Sequence, residues 1–388
     1  MVKARGGRFR PTAGLMARWL GALRHLPPSL SLLLLLLAAF PPAASADAPF
    51  VLQREVDFGG GAIMDFASAG PGSALVIGAM PDGFSVFSVD FVSGSITKFV
   101  SHTYLEGVVP GSIRADALSL EFSPERGLLL FMPRSGQAYP VLLDVSEAPK
   151  IKRYRLGFPQ GYDVGGAAFC GDSVVFYPAL VSLQEGRSRL LRLRAESGRL
   201  EELTPSRRFA IVRDVVWCTD DGRLLVLGFF TASAKRGGME LAYLSLEDGE
   251  VEIIPQTGDS LRASASGNHL ALIRTNRTAV APGDEEPAGY RLEGLVLDGL
   301  SLEPSGSVPI YSRPESMEIL YGGRFVLLAT RTPGGRRDLW LMDLLHGSKH
   351  RVLKGVLWFA TETAGAAFIA QPDDRNALMY YALAGAVD

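Results

Sequence analysis

Short apolar runs alternate with tight polar turns along almost the whole chain after residue 50. Runs of this length, rich in Val, Leu, Phe and Tyr and bounded by Gly, Asp or Ser, predict β-strands. Many runs are joined by pairs such as Ser197-Gly198 and Asp248-Gly249, which predict hairpins because glycine adopts positive φ without steric cost. No segment after residue 46 carries a helical stripe of about ten residues. The pattern therefore predicts an all-β protein.

The runs recur as a unit with a period near fifty residues. In each unit an apolar segment ends at one aligned position, and a tight turn and a second run follow. The aligned residues are Ser68, Ser123, Cys170, Cys218, Ser266, Tyr321 and about Ala364. Four short strands repeated every 40 to 50 residues or so indicate a β-propeller, and seven units predict seven blades. Because the period is imperfect, two β-sandwiches are the alternative.

The repeat also predicts how the ring closes. The blades lie at about 62–113, 114–160, 161–209, 210–257, 258–312, 313–355 and 356–388. The last unit has only three runs, and a missing outer strand would leave an exposed sheet edge. Phe50–Phe58 is a strand-like run with no other partner, so we expect it to complete the seventh blade beside Leu378–Leu383. Residues 47–388 are thus predicted to form one propeller domain.

The two cysteines, Cys170 and Cys218, occupy the same position in neighbouring blades, at the end of the innermost strand. A bridge across these 48 residues would be worth about 4 kcal/mol in the chain-entropy model. Rotationally equivalent side chains point the same way around a ring, however, so identical positions do not face each other. This argument disfavours a disulfide, and we interpret the position as one where a small side chain packs.

The first 46 residues have a different character. They contain six basic residues and no acidic one, then the 11-residue apolar block Leu30–Phe40, then Ala44-Ser45-Ala46. This order is typical of a secretory signal peptide, and the block is shorter than the roughly 20 residues that span a bilayer. We expect cleavage after Ala46, a periplasmic or secreted protein, and no transmembrane segment afterwards. A retained membrane anchor is the alternative.

Charge restricts the class of partner. Residues 47–388 carry 33 basic and 41 acidic side chains, a net charge of −8. Nucleic-acid binding requires a clustered positive surface, so the composition argues against a nucleic-acid partner.

The predicted loops are longest on one face of the ring, where the blade-to-blade loops and the loops between second and third strands meet. Long loops on a rigid scaffold often carry function. Lys235, Arg236, Arg331, Arg336 and Arg337 would form a cationic crescent there, and Arg114, Asp116, Asp163, Arg213, Asp214 and Arg262 would ring the mouth of the central channel. The arginines suit a small anionic ligand or an acidic patch of an envelope protein. The alternative is a solvated surface with ordinary inter-blade ion pairs.

Two segments resemble the TolB-type, WD-like propeller repeat. The sequence FSPERG at 122–127, followed by an apolar run, resembles the F-S-P-D-G-K turn of that repeat, and DLWLMDLLHG at 338–347 resembles its I-Y-V-M-D-L-x-G half. The resemblance covers only the repeats, roughly residues 62–383. It implies a periplasmic propeller that binds something, and the role of TolB in envelope assembly is not carried over.

Catalytic patterns are weak in this sequence. His346 and His350 are four residues apart but fall in a predicted hairpin, so they do not form a helical metal pair. Asp163 and Asp214, at equivalent points of adjacent blades, come closest to the paired carboxylates of a glycosidase. We therefore expect an exported, non-catalytic propeller that acts as a binding or scaffold module in the bacterial cell envelope, without cofactor or metal. The alternative is a lactonase- or glycosidase-like hydrolase with acidic residues at the channel mouth.

Overall fold

The computed structural model describes residues 49–81, 83–109, 118–134, 139–179, 188–206, 210–230, 238–275, 289–362 and 366–384. Their strands form seven four-stranded antiparallel sheets. The innermost strands of most neighbouring sheets contact one another, and those of the first and last sheets also do, so the sheets close a ring around a central channel. The protein is a seven-bladed β-propeller, as the repeat predicts.

The strands follow one another in chain order within each blade, apart from the closing strand. The closing strand is β1 (Phe50–Asp57). The first three blades contain β2 (Ala62–Gly70), β3 (Ser73–Met80), β4 (Gly83–Asp90), β5 (Ser95–Val100), β6 (Leu118–Ser123), β7 (Leu128–Pro133), β8 (Val141–Asp144), β9 (Lys152–Arg153), β10 (Val164–Cys170), β11 (Ser173–Pro178), β12 (Leu190–Arg194) and β13 (Arg199–Leu203). The later blades contain β14 (Ile211–Cys218), β15 (Arg223–Phe229), β16 (Glu240–Ser245), β17 (Val251–Ile253), β18 (Ser260–Ser266), β19 (His269–Thr275), β20 (Tyr290–Asp298), β21 (Ser301–Ile310), β22 (Arg313–Leu320), β23 (Phe325–Arg331), β24 (Arg337–Asp343), β25 (Ser348–Lys354), β26 (Val356–Thr361), β27 (Ala367–Pro372) and β28 (Ala377–Leu383).

The second strand of each blade forms the main part of the core. Neighbouring blades cover both faces of this strand, so it is a continuous apolar run rather than an alternating one. In β7 the run Leu128–Met132 is buried throughout, and in β23 the run Phe325–Thr330 is buried throughout. The outermost strand β25, in contrast, alternates between partly buried and exposed residues.

The seventh blade is completed by β1, which pairs antiparallel with β28 and places Glu55 opposite Met379. Phe50 packs against blade six, with its ring centroid 5.7 Å from that of Phe325. Val56 packs on the opposite side, against the core shared with blade one. The predicted closure is therefore confirmed, and β1 stabilises both faces of the last blade.

Cys170 and Cys218 form a disulfide with a Cα–Cα distance of 5.3 Å, so our argument against a bridge was wrong. The reason is a β-bulge in β14 between Val215 and Trp217. Val215 and Cys218 both pack against the core between blades three and four, while Val216 and Trp217 both pack toward blade five. One extra residue reverses which side the next side chain takes. Cys218 therefore faces back toward Cys170, and the two positions are not rotationally equivalent.

We call the face where the innermost strands begin the upper face, and the face where they end the lower face. Within the described residues, the upper face contains a helix that the sequence pattern did not predict, α1 (His102–Val108) between blades one and two. The Ser101 side chain accepts a hydrogen bond from the Tyr104 N–H and caps its first turn. Seven residues are too few to show a periodic apolar stripe. None of the helices in the described ranges is long and apolar enough to cross a lipid bilayer.

Candidate functional site

β-Bulges recur at the upper end of the innermost strands. The register shifts in β2, β10, β14, β18, β22 and β26, each near the start of the strand. In β26 the extra residue is Leu357, directly before Trp358. Because a bulge re-aims the side chains that follow it, polar residues early in these strands are brought to the mouth of the channel.

A cavity of about 460 Å³ opens at this upper mouth, beside blades five, six and seven. Its lining includes the charged residues Arg262, Arg313, Glu315, Glu318 and Arg337 and the aromatic residue Trp358. Trp358 forms a wall between two guanidinium groups. The ring centroid lies 4.0 Å from Cζ of Arg134 and 5.0 Å from Cζ of Arg337, and such cation–π contacts hold the indole in place.

The arginines at this mouth differ in whether an acid neutralises them. Glu315 forms ion pairs with both Arg331, at 2.5 Å, and Arg337, at 3.9 Å. Arg336 lies 3.6 Å from a carboxylate oxygen of Asp373. Three arginines of the predicted crescent are thus each paired with an acid.

Arg262 and Arg313 behave differently, because neither makes an ion pair or a side-chain hydrogen bond in the described part of the chain. Both line the same cavity. Arg213 is exposed, and its guanidinium donates a long hydrogen bond of 3.5 Å to the carbonyl oxygen of Ala179.

A second cavity, of about 330 Å³, lies between blades two and three and is lined by Ser119, Glu121, Arg134 and Asp163, among others. Asp65 lies close by, where its carboxylate accepts a hydrogen bond from the Leu120 N–H at 2.9 Å and pairs with Arg134 at 3.2 Å. One carboxylate oxygen of Asp163 is buried and has no hydrogen-bond partner among the described residues. Carboxyl groups from three blades therefore converge on the channel.

Burial makes these acids harder to ionise. Burial, together with the negative charges of Asp65 and Asp214, raises the pKa of Glu121 to about 7. Burial also raises the pKa of Asp65 and of Asp214, although hydrogen bonds and nearby arginines partly offset it. The Tyr177 hydroxyl donates to Asp214 at 3.0 Å, and burial raises the pKa of that hydroxyl. The channel thus contains a carboxyl group that titrates near neutral pH.

The sequence-based candidates other than Arg213, which is exposed beside Ala179, divide into three groups in the structure. Asp163, Asp214 and Arg262 lie at or near the channel mouth. Arg331, Arg336 and Arg337 lie on blade six as predicted, beside the acids described above. Arg114, Asp116, Lys235 and Arg236 lie outside the described residues.

Sequence reasoning missed several residues of this mouth: Asp65, Glu121, Arg134, Arg313, Glu318 and Trp358. A signal existed for two of them, because Asp65 and Glu121 are acids inside otherwise apolar innermost strands. A buried polar residue is more informative than an exposed one. Trp358 and Arg134 gave no such signal, because their meeting depends on the bulge in β26 and on contact between distant blades.

No cluster of three or more His, Cys, Asp or Glu side chains that could bind a metal occurs within the described ranges. No protein-family model matches the chain, and no curated protein matches it.

Solved structures do match the fold. An oligogalacturonate lyase in complex with manganese is 12% identical, with a TM-score of 0.56, covering 86% of this chain and 91% of that chain. Hydrazine synthase of Kuenenia stuttgartiensis is 12% identical, with a TM-score of 0.56, and the match covers 86% of this chain and 98% of that chain. The Cps50 (Swd1) β-propeller domain of Myceliophteria thermophila is 16% identical, with a TM-score of 0.54, and the match covers 86% of this chain and 99% of that chain. Identities this low show the propeller fold alone, and the TolB-type assignment stays a prediction.

Proposed function

We propose that this chain is an exported bacterial propeller that serves as a binding module in the cell envelope. Its upper mouth would capture an anionic group, either of a small ligand or of an acidic segment in an envelope protein. The signal-like first 46 residues support export. The Cys170–Cys218 disulfide supports it as well, because disulfides persist in oxidising compartments and are rare in the cytosol.

The observation that carries the proposal is that two guanidinium groups, Arg262 and Arg313, line one cavity without an ion pair among the described residues, although the charge of Arg262 also acts on Asp214. A guanidinium presents a planar fork of donors that matches a carboxylate or phosphate. Glu315 is already engaged by two other arginines, which leaves Arg262 and Arg313 available for an incoming anion. Trp358 also lines this cavity and adds an apolar side chain that a ligand can contact.

Calorimetric titration at low ionic strength tests the proposal, with citrate and a hexaglutamate peptide as the two probes. We expect at least one probe to bind the wild-type protein. The double variant Arg262→Gln/Arg313→Gln should weaken binding by about tenfold or more, since each charged hydrogen bond is worth roughly 1.5 kcal/mol or more. Arg213→Gln, which removes an exposed arginine that does not line the cavity, is the matched control. Equal losses in the control, or no binding of either probe to wild type, would refute the proposal.

Export has its own test. We fuse residues 1–60 to an alkaline phosphatase that is active only after oxidation outside the cytoplasm. We expect phosphatase activity in a bacterial host, and we expect a fusion that starts at residue 47 to be inactive.

One observation favours a second candidate function, a glycosidase-like hydrolase. Glu121, with its pKa near 7, lines the same cavity as Asp163. A carboxyl group that keeps its proton near neutral pH, beside a second carboxyl group, is the arrangement that general acid catalysis of glycoside cleavage uses. This candidate predicts turnover of nitrophenyl glycosides that Glu121→Gln and Asp163→Asn each abolish, whereas the binding module predicts none.

The raised pKa of Glu121 also makes a prediction about stability. Between about pH 4.5 and 7 the folded state keeps a proton that the unfolded state releases, so Glu121 lowers the stability of the wild type progressively as pH rises through this window. Glu121→Gln should therefore be more stable than wild type at pH 8, by about 1–3 kcal/mol, with the difference shrinking toward pH 4.5. Urea unfolding at the two pH values measures it. A constant difference would mean that Glu121 is not buried as described.

A further inference from the structure

The lower mouth of the channel has a chemistry of its own. A cavity of about 600 Å³ opens there beside blades two, three and four. Phe122, Phe169 and Trp217 line it, each at the penultimate position of an innermost strand. All three side chains are only partly buried. We call these three residues the aromatic crescent.

The aromatic crescent does not extend to the blades on either side of it. The corresponding residues of blades one and five are Ala67 and Ala265. The fold therefore does not require an aromatic side chain at this position, and three adjacent blades gather theirs around one cavity. Aromatic rings carry partial negative charge on their faces, so aromatic residues that line a cavity favour a cationic ligand.

The rim of this cavity carries carboxylates. Glu125, Asp172 and Asp220 lie on the turns that surround it. Arg192, which also lines this cavity, already has partners for its guanidinium group. It donates to the Ser173 hydroxyl at 3.0 Å and to the carbonyl oxygen of Leu246 at 3.1 Å, and it lies 4.0 Å from Asp172. The lower cavity thus combines aromatic walls with an acidic rim, whereas the upper cavity is rich in arginine.

The disulfide holds part of this wall rigid. Cys170 directly follows Phe169, Cys218 directly follows Trp217, and both half-cystines line the cavity. The covalent link fixes blade three to blade four beside two of the three aromatic residues. Such preorganisation increases affinity because binding does not have to order the wall.

We propose that the aromatic crescent, its acidic rim and the disulfide form a binding site for a small organic cation with apolar substituents, such as a quaternary ammonium compound. The ring quadrupole attracts a cation held over an aromatic face, most strongly over tryptophan. This site is separate from the anion site of the proposed function, and neither depends on the other.

Calorimetric titration with choline tests the proposal, because choline has a neutral isostere of almost the same shape, 3,3-dimethylbutan-1-ol. We expect choline to bind one site saturably and the isostere to bind about tenfold more weakly or not at all, since the two differ only in charge. Trp217→Leu should weaken choline binding by about tenfold, and Trp340→Leu, a tryptophan of blade six that does not line the cavity, should leave it unchanged. Circular dichroism checks that both variants fold.

Asp220→Asn keeps the test decisive should Trp217→Leu fail to fold, because Asp220 lies on an exposed turn. It should weaken choline binding about two- to fivefold by removing one rim charge. Equal binding of choline and its isostere would overturn the cation site. Absence of saturable choline binding by the wild-type protein would overturn the proposal altogether, whatever the citrate titration shows.

Discussion

The ring is held at two junctions of opposite character. At the seam in blade seven, the first described strand, β1, and the three last strands of the chain are joined mainly by backbone hydrogen bonds and apolar packing, with an exposed ion pair between Arg375 and Glu55. At the junction between blades three and four, a covalent bond links neighbouring innermost strands. The seam stabilises the ring by burial in the folded state, whereas a disulfide acts largely on the unfolded chain.

The two junctions stabilise different parts of the fold. The seam brings together residues more than 300 positions apart, such as Glu55 and Met379, so it forms only when the ring closes. The disulfide spans 48 residues and remains intact when the ring opens. We therefore expect stability to depend most on the packing of the seam, and the geometry of the lower cavity to depend most on the disulfide.

Phe50→Ala should produce the largest loss. Phe50 is only 5% exposed and contacts the rings of Phe325 and Phe368, and deleting a buried phenyl group costs about 3–5 kcal/mol. Leu52→Ala in the same strand is the matched control, because Leu52 is 41% exposed and its truncation should cost well under 1 kcal/mol. Urea unfolding of both variants measures the difference. Similar losses in the two would mean that β1 is not packed as a blade strand.

Removing the disulfide should cost somewhat less. For Cys170→Ser/Cys218→Ser we expect the free energy of unfolding to fall by about 2–4 kcal/mol. Dithiothreitol should lower the melting temperature of the wild type and leave that of the double variant unchanged. The double variant should also bind choline several-fold more weakly, because the wall of the lower cavity loses its covalent support. Full choline affinity in this variant would show that the cation site does not depend on the disulfide.

The seam and the disulfide also differ in how far the sequence predicts them. The seam followed from counting: a fourth strand was missing from the last unit, and FVLQREVDF had no other partner. The disulfide did not follow, because its geometry depends on one bulge at Val215–Trp217 that no alternation pattern reveals. Strand periodicity assumes a constant register, and a single extra residue breaks the assumption.

A similar limit applies to what the sequence could predict about the candidate site. The sequence pointed to the correct end of the innermost strands for Asp163, Asp214 and Arg262, because position within a repeat determines which end of the channel a residue reaches. It did not distinguish arginines that form ion pairs from those that form none among the described residues, since the Glu315 pairs depend on side-chain packing across three strands. The carboxyl groups of Asp65 and Glu121 were missed because their interaction joins separate blades.

A smaller effect is expected where blade seven meets blade one. The Asn376 side-chain oxygen accepts a hydrogen bond from the Ile63 N–H at 2.9 Å, and its amide donates to the carbonyl of Gly61. Asn376→Ala should cost about 1–2 kcal/mol, because both partly buried backbone groups lose a partner. Urea unfolding measures the loss. A neutral result would mean that water replaces both bonds and that the seam depends on apolar packing alone.

The smallest effect should come from the ion pair on the surface of the seam. Arg375 lies 3.1 Å from a carboxylate oxygen of Glu55, and both side chains are substantially exposed. Solvent and salt screen such pairs, and ordering two long side chains offsets what attraction remains. Arg375→Ala should therefore leave the unfolding midpoint of the wild type unchanged within error, both at low salt and in 1 M sodium chloride. A clear loss at low salt that disappears at high salt would show that charge, and not only the burial of Phe50 and Val56, holds the closing strand to the ring.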